Sequence, residues 1–301
     1  MSNKDRSLAI LAEKVERYED MVKAVRNMAE SNVDLSREDR ILFATAYKNI
    51  ISNSRASWRQ LSSIEKNGTE PDEKEVVKEY RLSIQKEITD ICIEVIGLLD
   101  ANLIPSSQSG ESKNAYLKLK GDYYRYLCEI SDGNALKTFM ELSEKFYETS
   151  TMGCLELSET NPTRLGLALS FSVFYYEIKK HPQKAILIAQ NSLEGAIQKI
   201  SQHTDESTLA ETTLLIQLLR DNLNLWICKN NNGFYTEIKK NIEFGKSLNT
   251  TDRQRVTNIE TDHDGDNQSR FNYVQSILMY YFYAALSEII NVTSREPMNN
   301  N

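Results

Sequence analysis

The sequence predicts an all-α fold built as a succession of antiparallel helices. Breakers are scarce, with 11 Gly and 5 Pro among 301 residues, while Leu, Ile, Glu and Lys are abundant. Apolar residues recur at helical spacing from about residue 3 to residue 228. The segments between periodic stretches are short, which makes neighbouring helices antiparallel and gives eight or nine of them. No exact repeat occurs, so likeness to a TPR solenoid is architectural only.

The elements follow in order. Ser36 stands before "REDRILFATAYKNII" as an N-cap, with Asp39 three residues on. "NGTEPDEKE" (67–75) reads as a loop leading into the helix 76–104. "PSSQSG" (105–110) breaks that helix, and the next begins at Glu111 and runs to Ile130. Further helices are predicted at about 135–158, 162–180, 183–203 and 206–228, with His181-Pro182 marking one junction.

Residues 1–228 therefore read as one helical domain. Residues 229–270 read as a polar linker rich in Asn, Asp and Thr, admitting a short helical piece near 234–244. An additional apolar, aromatic helix is predicted over 271–291, from "FNYVQSILMYYFYAALSEII". It is too apolar to stand in water alone. It could pack on its own domain or across a dimer, recognise another protein, or touch a membrane. Gln275, Ser276, Ser287 and Glu288, with no strongly basic flank, disfavour the membrane.

Composition narrows the function. The formal net charge is −7 and the pI about 5.3, which argues against non-specific nucleic-acid binding. The start, "MSNKDRSLAI", lacks the apolar run of a secretory signal. Cys92, Cys128, Cys154 and Cys228 form no C-x-x-C and read as reduced, buried or partly buried thiols of a cytoplasmic protein.

Catalytic signatures are missing. There is no phosphate-binding Gly-rich loop, no zinc-protease helix motif and no nucleophile elbow. His181, His203 and His263 have no metal-ligand spacing and read as solvated or capping residues. The run Asp262–Asn267 partly resembles a calcium loop, but with Asp262 as position 1 Gly265 falls at position 4 and Tyr273 at position 12. No cofactor and no metal are expected.

One stretch stands against the acidic background. Lys48, Arg55 and Arg59 occupy relative positions 0, 7 and 11, which at about 100° per residue share one stripe of a helix. "LKLKGDYYRYL" supplies Arg125 and Tyr126, with Asp122 one turn earlier. Arg offers bidentate bonds, Lys a point charge and Tyr an O–H, the donor set a phosphate dianion requires.

With these residues the chain resembles the 14-3-3 family. "ERYEDM" (16–21), "AYKNIISNSRASWR" (46–59), "SSIE" (62–65), "KGDYYRYL" (120–127), "RLGLALSFSVFYYEI" (164–178) and "QLLRDNLNLW" (217–226) fall in family order. The resemblance implies a nine-helix protomer, a cup-shaped homodimer, and a groove for phosphoserine or phosphothreonine peptides, without catalysis. It assigns phosphate binding to Lys48, Arg55, Arg125 and Tyr126, with Arg59 and Asp122 as supporting charges. It assigns the peptide groove to Ser170, Val173, Glu177, Leu215, Leu218, Asn222 and Trp226. Relative to Leu218, the offsets of Leu215, Asn222 and Trp226 fall between about 40° and 80°, so one helix carries this narrow strip.

Three departures qualify the resemblance. Ser170 stands where the family has Asn, predicting weaker clamping of a peptide backbone. At the expected dimer interface Asp20 should meet a basic residue, but the matching position is Ser83. Arg17 and Glu87 remain as the other cross-dimer pair, with Ser57 and Tyr80 at further interface positions, so a homodimer is expected with room for altered geometry. Finally, about 75 residues follow Trp226 where the family has a short acidic tail. Among them Thr257, after Arg253 and Arg255, is a candidate phosphosite whose modified form could act as an intramolecular ligand of the groove.

The leading expectation is thus a cytoplasmic adaptor that binds phosphorylated client proteins. The alternative is a self-occluded scaffold whose tail covers the groove and whose partners bind elsewhere.

Overall fold

The computed structural model describes residues 3–67, 71–202 and 206–229. All regular structure there is helical: nine helices among the described residues, counting the continuous run from Pro71 to Ser106 as one. The described chain divides into two compact units, one ending at Gly153 and the other beginning at Cys154.

The first unit holds α1 (Asn3–Lys14), α2 (Tyr18–Glu30), α3 (Arg37–Asn67), α4 (Pro71–Leu98, extended to Ser106), α5 (Gly110–Ile130) and α6 (Gly133–Gly153). Consecutive helices pack on one another, and α1 also touches α3 and α2 touches α4. The core comes from stripes with helical spacing: Met21, Val25 and Met28 on α2; Phe43, Tyr47 and Ile51 on α3; Ile88, Cys92, Val95 and Leu99 on α4. The stripe of α3 continues into Arg55, so the same face turns from apolar core to buried cation within one turn.

Caps agree with the sequence. Ser36 Oγ accepts from the backbone N–H of Asp39 at 3.1 Å, while the Asp39 carboxylate takes the guanidinium of Arg6 at 2.7 Å. Ser109 caps α5 by accepting from Ser112 N–H at 3.0 Å.

Three boundaries are corrected. Pro71 opens α4, so most of the expected 67–75 loop is helix; Pro suits a first helical position because its missing N–H would be unpaired there. The break expected over 105–110 is present but begins only at Ser107, past Pro105. The chain widens into a π turn at Leu99–Leu103, with Ile104 N–H donating to Leu99 C=O, and helix resumes over Ile104–Ser106. The wider turn relieves the clash between the proline ring and the preceding carbonyls. The helix expected to reach 158 stops at Gly153, where a β-carbon would stand 2.2 Å from the Asn114 side-chain oxygen.

The second unit holds α7 (Pro162–Val173), which passes into a π turn at Phe174–Ile178, then α8 (Pro182–Lys199) and α9 (Glu206–Lys229). Asn161 caps α7 by accepting from Thr163 N–H at 2.8 Å and Arg164 N–H at 3.3 Å. His181 caps α8 through Nδ1, which accepts from Lys184 N–H at 3.2 Å. Leu165, Phe174, Tyr175, Ala189, Leu215 and Leu219 are buried among these helices.

Cys92, Cys128 and Cys154 are buried and unbridged. No described helix is long and apolar enough to cross a membrane. The linker 229–270 from its second residue on, the helix 271–291, Thr257, His203 and His263 lie outside the described residues.

Candidate functional site

Helix α3 brings Lys48, Arg55 and Arg59 to one stripe, and α5 brings Lys118, Asp122, Arg125, Tyr126 and Glu129. Lys48, Arg55, Arg125 and Tyr126 are each less than a tenth exposed, an uncommon state for cations. The burial of Arg55 and Arg125 is offset by a dense set of partners.

Glu129 is central to that set. Its carboxylate accepts from Arg55 Nε at 2.9 Å and from Arg55 Nη2 at 2.5 Å. Arg59 Nη2 reaches it at 3.1 Å and Arg125 Nη1 at 3.9 Å. Burial pushes the Glu129 carboxyl upward, but the neighbouring guanidiniums, Arg55 and Arg59 foremost, outweigh it and hold the pKa at about 2. Glu129 is therefore an anion at any physiological pH.

Tyr126 supplies the wall. The Arg55 guanidinium lies over its ring with Cζ 3.9 Å from the centroid, and that of Arg125 lies 4.8 Å away. The second carboxylate, Asp122, is fully enclosed. It takes Lys118 Nζ at 2.8 Å, Tyr147 O–H at 2.6 Å and Arg125 Nη2 at 3.6 Å. Burial raises the Asp122 pKa, while Lys118 and Arg125 more than reverse this and lower it. Arg125 Nε also donates to the Tyr147 hydroxyl at 3.3 Å, so this phenol ties Arg125 to Asp122.

Among the side chains named here, five are cations (Lys48, Arg55, Arg59, Lys118, Arg125) and two are carboxylates (Asp122, Glu129). Lys48, Arg55, Lys118 and Arg125 are buried. Such an arrangement attracts a compact, multiply charged anion.

Sequence reasoning assembled Lys48, Arg55, Arg59, Asp122, Arg125 and Tyr126, and the structure sets them on the facing parts of α3 and α5. It missed Glu129 and Tyr147. Glu129 was within reach, since it stands four residues past Arg125 on the same helical stripe. Tyr147 gives no such signal, because it comes from α6, 22 residues away.

The second unit carries the other predicted set. Val173, Leu215, Leu218, Asn222 and Trp226 are buried, while Ser170 and Glu177 are half-buried. Trp226 stacks on Tyr176, with centroids 4.8 Å apart and planes 14° apart. Glu177 lies in the π turn that follows α7.

Among the expected interface residues, Arg17 pairs with Asp20 of its own chain at 2.5 Å, and Glu87 accepts from Ser54 Oγ at 2.5 Å. Ser57 is half-buried; Tyr80, Ser83 and Glu87 are exposed. Leu11 of α1, Val15 in the turn that follows it and Ile64 of α3, all large and apolar, are exposed as well. No group of His, Cys, Asp and Glu that could hold a metal occurs among the described residues.

Comparison with known proteins identifies the family of the chain. A family model described as "14-3-3 protein" matches residues 8–227. The chain is 46% identical to 14-3-3 protein zeta of Bombyx mori over 221 residues, covering 72% of this chain and 89% of that protein. It is 47% identical to 14-3-3-like protein B of Vicia faba over 234 residues, 75% of this chain and 89% of that protein. Against 14-3-3 protein beta/alpha of Homo sapiens the identity is 46% over 225 residues, 74% and 91% of the two chains.

Proposed function

The chain belongs to the 14-3-3 family and is a non-enzymatic protein, and from that premise we propose that it is an adaptor binding phosphoserine or phosphothreonine segments of client proteins. Lys48, Arg55, Arg125 and Tyr126 take the phosphoryl group, with Arg59 and Asp122 in support. The observation that carries this reading is the buried arginine pair on Tyr126, Arg55 at 3.9 Å and Arg125 at 4.8 Å from the ring centroid. A guanidinium stacked on a ring has lost most of its freedom before a ligand arrives, which lowers the ordering cost of binding.

Ser170, Val173, Glu177, Leu215, Leu218, Asn222 and Trp226 contribute the peptide-groove surface in the same reading. Asn222 supplies both a donor and an acceptor to an extended backbone. A homodimer is part of the proposal. It would use Arg17, Asp20, Ser57, Tyr80, Ser83 and Glu87, together with the exposed Leu11, Val15 and Ile64. A cytoplasmic setting fits the three buried, unbridged thiols.

The test is fluorescence anisotropy of the full-length protein with an Arg-containing phosphoserine peptide and its unphosphorylated twin. Binding of the phosphorylated peptide alone is expected. Binding of neither, restored by deletion of residues 230–301, would establish the self-occluded scaffold instead, with Thr257 as the first residue to examine for phosphate by intact mass. Binding of neither even then would overturn the proposal.

A further inference from the structure

We propose that Glu129 is the positioning residue of the phosphate site, holding Arg55 so that one edge of its guanidinium faces the ligand. This rests on the phosphate-binding reading above and assigns a role to a residue which that reading does not use.

A guanidinium offers two bidentate edges, one made by Nε with Nη2 and one made by Nη1 with Nη2. Glu129 occupies the first, accepting from Arg55 Nε at 2.9 Å and Nη2 at 2.5 Å. The Tyr126 ring covers one face of the same guanidinium. With one edge clasped and one face stacked, the planar group has a single orientation, and the edge it still presents is Nη1 with Nη2. That is the edge a phosphoryl group would engage in a bidentate pair.

Glu129 also receives Arg59 at 3.1 Å and approaches Arg125 at 3.9 Å. One carboxylate thus screens three guanidiniums from one another and sets their spacing. Its effect on a phosphate ligand has two parts of opposite sign. As a negative charge it repels the ligand. As an anchor it removes the conformational cost of assembling the arginines when the ligand arrives. The clasp is bidentate and mostly buried, with Arg55 only 6% and Glu129 only 18% exposed at the side chain, so the anchoring part prevails.

The two parts predict different outcomes for Glu129→Gln. Loss of repulsion alone would tighten phosphopeptide binding. Loss of the anchor weakens it, because Gln presents only one acceptor oxygen to the fork. We expect Glu129→Gln to speed phosphopeptide dissociation about tenfold, with association unchanged or faster because the pocket is more positive. Glu129→Asp keeps the charge but withdraws it by one methylene, and should also speed dissociation.

The experiment is stopped-flow association and dissociation of one fluorescent phosphoserine peptide with full-length wild type and both variants. Stoichiometric titration gives the competent fraction of each, so misfolded protein lowers amplitude without changing the rate. A third variant, Arg55→Lys, removes the fork, and in its background Glu129→Gln should lose most of its effect on dissociation. Dissociation from Glu129→Gln that is no faster than from wild type overturns the inference and leaves the adaptor reading standing. Wild type that binds no phosphopeptide, with or without residues 230–301, overturns both.

Discussion

Gly121 lies directly beneath the ring of Tyr147: a β-carbon at Gly121 would stand 2.8 Å from two of its ring carbons. Ser143 Oγ donates to the Gly121 carbonyl at 2.9 Å, and Ser150 Oγ to the Asn114 carbonyl at 2.9 Å, so α5 and α6 are joined closely along this line. That close approach carries the Tyr147 hydroxyl to Asp122 and Arg125.

Gly121→Ala should therefore act on both stability and binding. Displacing a fully buried ring costs about 1–3 kcal/mol, read as a lower unfolding free energy in denaturant. Phosphopeptide affinity should fall as well, because Arg125 loses the alignment given by Tyr147. Affinity equal to wild type in the folded variant would show that Tyr147 does not position Arg125.

Acid should destabilise the protein through Glu129. Its folded-state pKa of about 2 lies below the ordinary 4.5, so the unfolded chain binds more protons in that interval. The stabilisation is complete above about pH 4.5 and is lost as pH falls toward 2. At about 1.36 kcal/mol per pH unit this is on the order of 3 kcal/mol. Glu129→Gln lacks this component, so its stability should decline less steeply than wild type between pH 4.5 and 2, as followed by denaturant unfolding.

Asn161→Ala should cost about 1 kcal/mol, since the side chain satisfies two N–H groups at the start of α7. Substitution by Asp, which keeps the acceptor, should retain most of that stability. Thermal unfolding of the two variants side by side separates the cap from any general effect of position 161.

Ser170→Asn should tighten phosphopeptide binding, on the order of 1 kcal/mol per restored hydrogen bond. The half-buried Ser170 hydroxyl is shorter than an amide and offers one donor instead of two. Unchanged affinity by titration calorimetry would show that position 170 does not contact the ligand.

Much of the protein was legible in its sequence. Helical periodicity, the Ser36 and His181 caps and the scarcity of breakers determined the all-α class, because each depends on neighbours within about four residues. The stripe of Lys48, Arg55 and Arg59 was legible for the same reason: helical geometry alone puts offsets of 7 and 11 on one side. Tertiary structure decided the rest. That Pro105 sits inside a helix depends on a π turn whose widening pays off only in a packed chain. That Glu129 clasps Arg55 across 74 residues, and Tyr147 ties Arg125 to Asp122, depends on the register between α3, α5 and α6. Register is set by which side chains interlock, such as Tyr147 on Gly121, and a one-dimensional period carries no record of that choice.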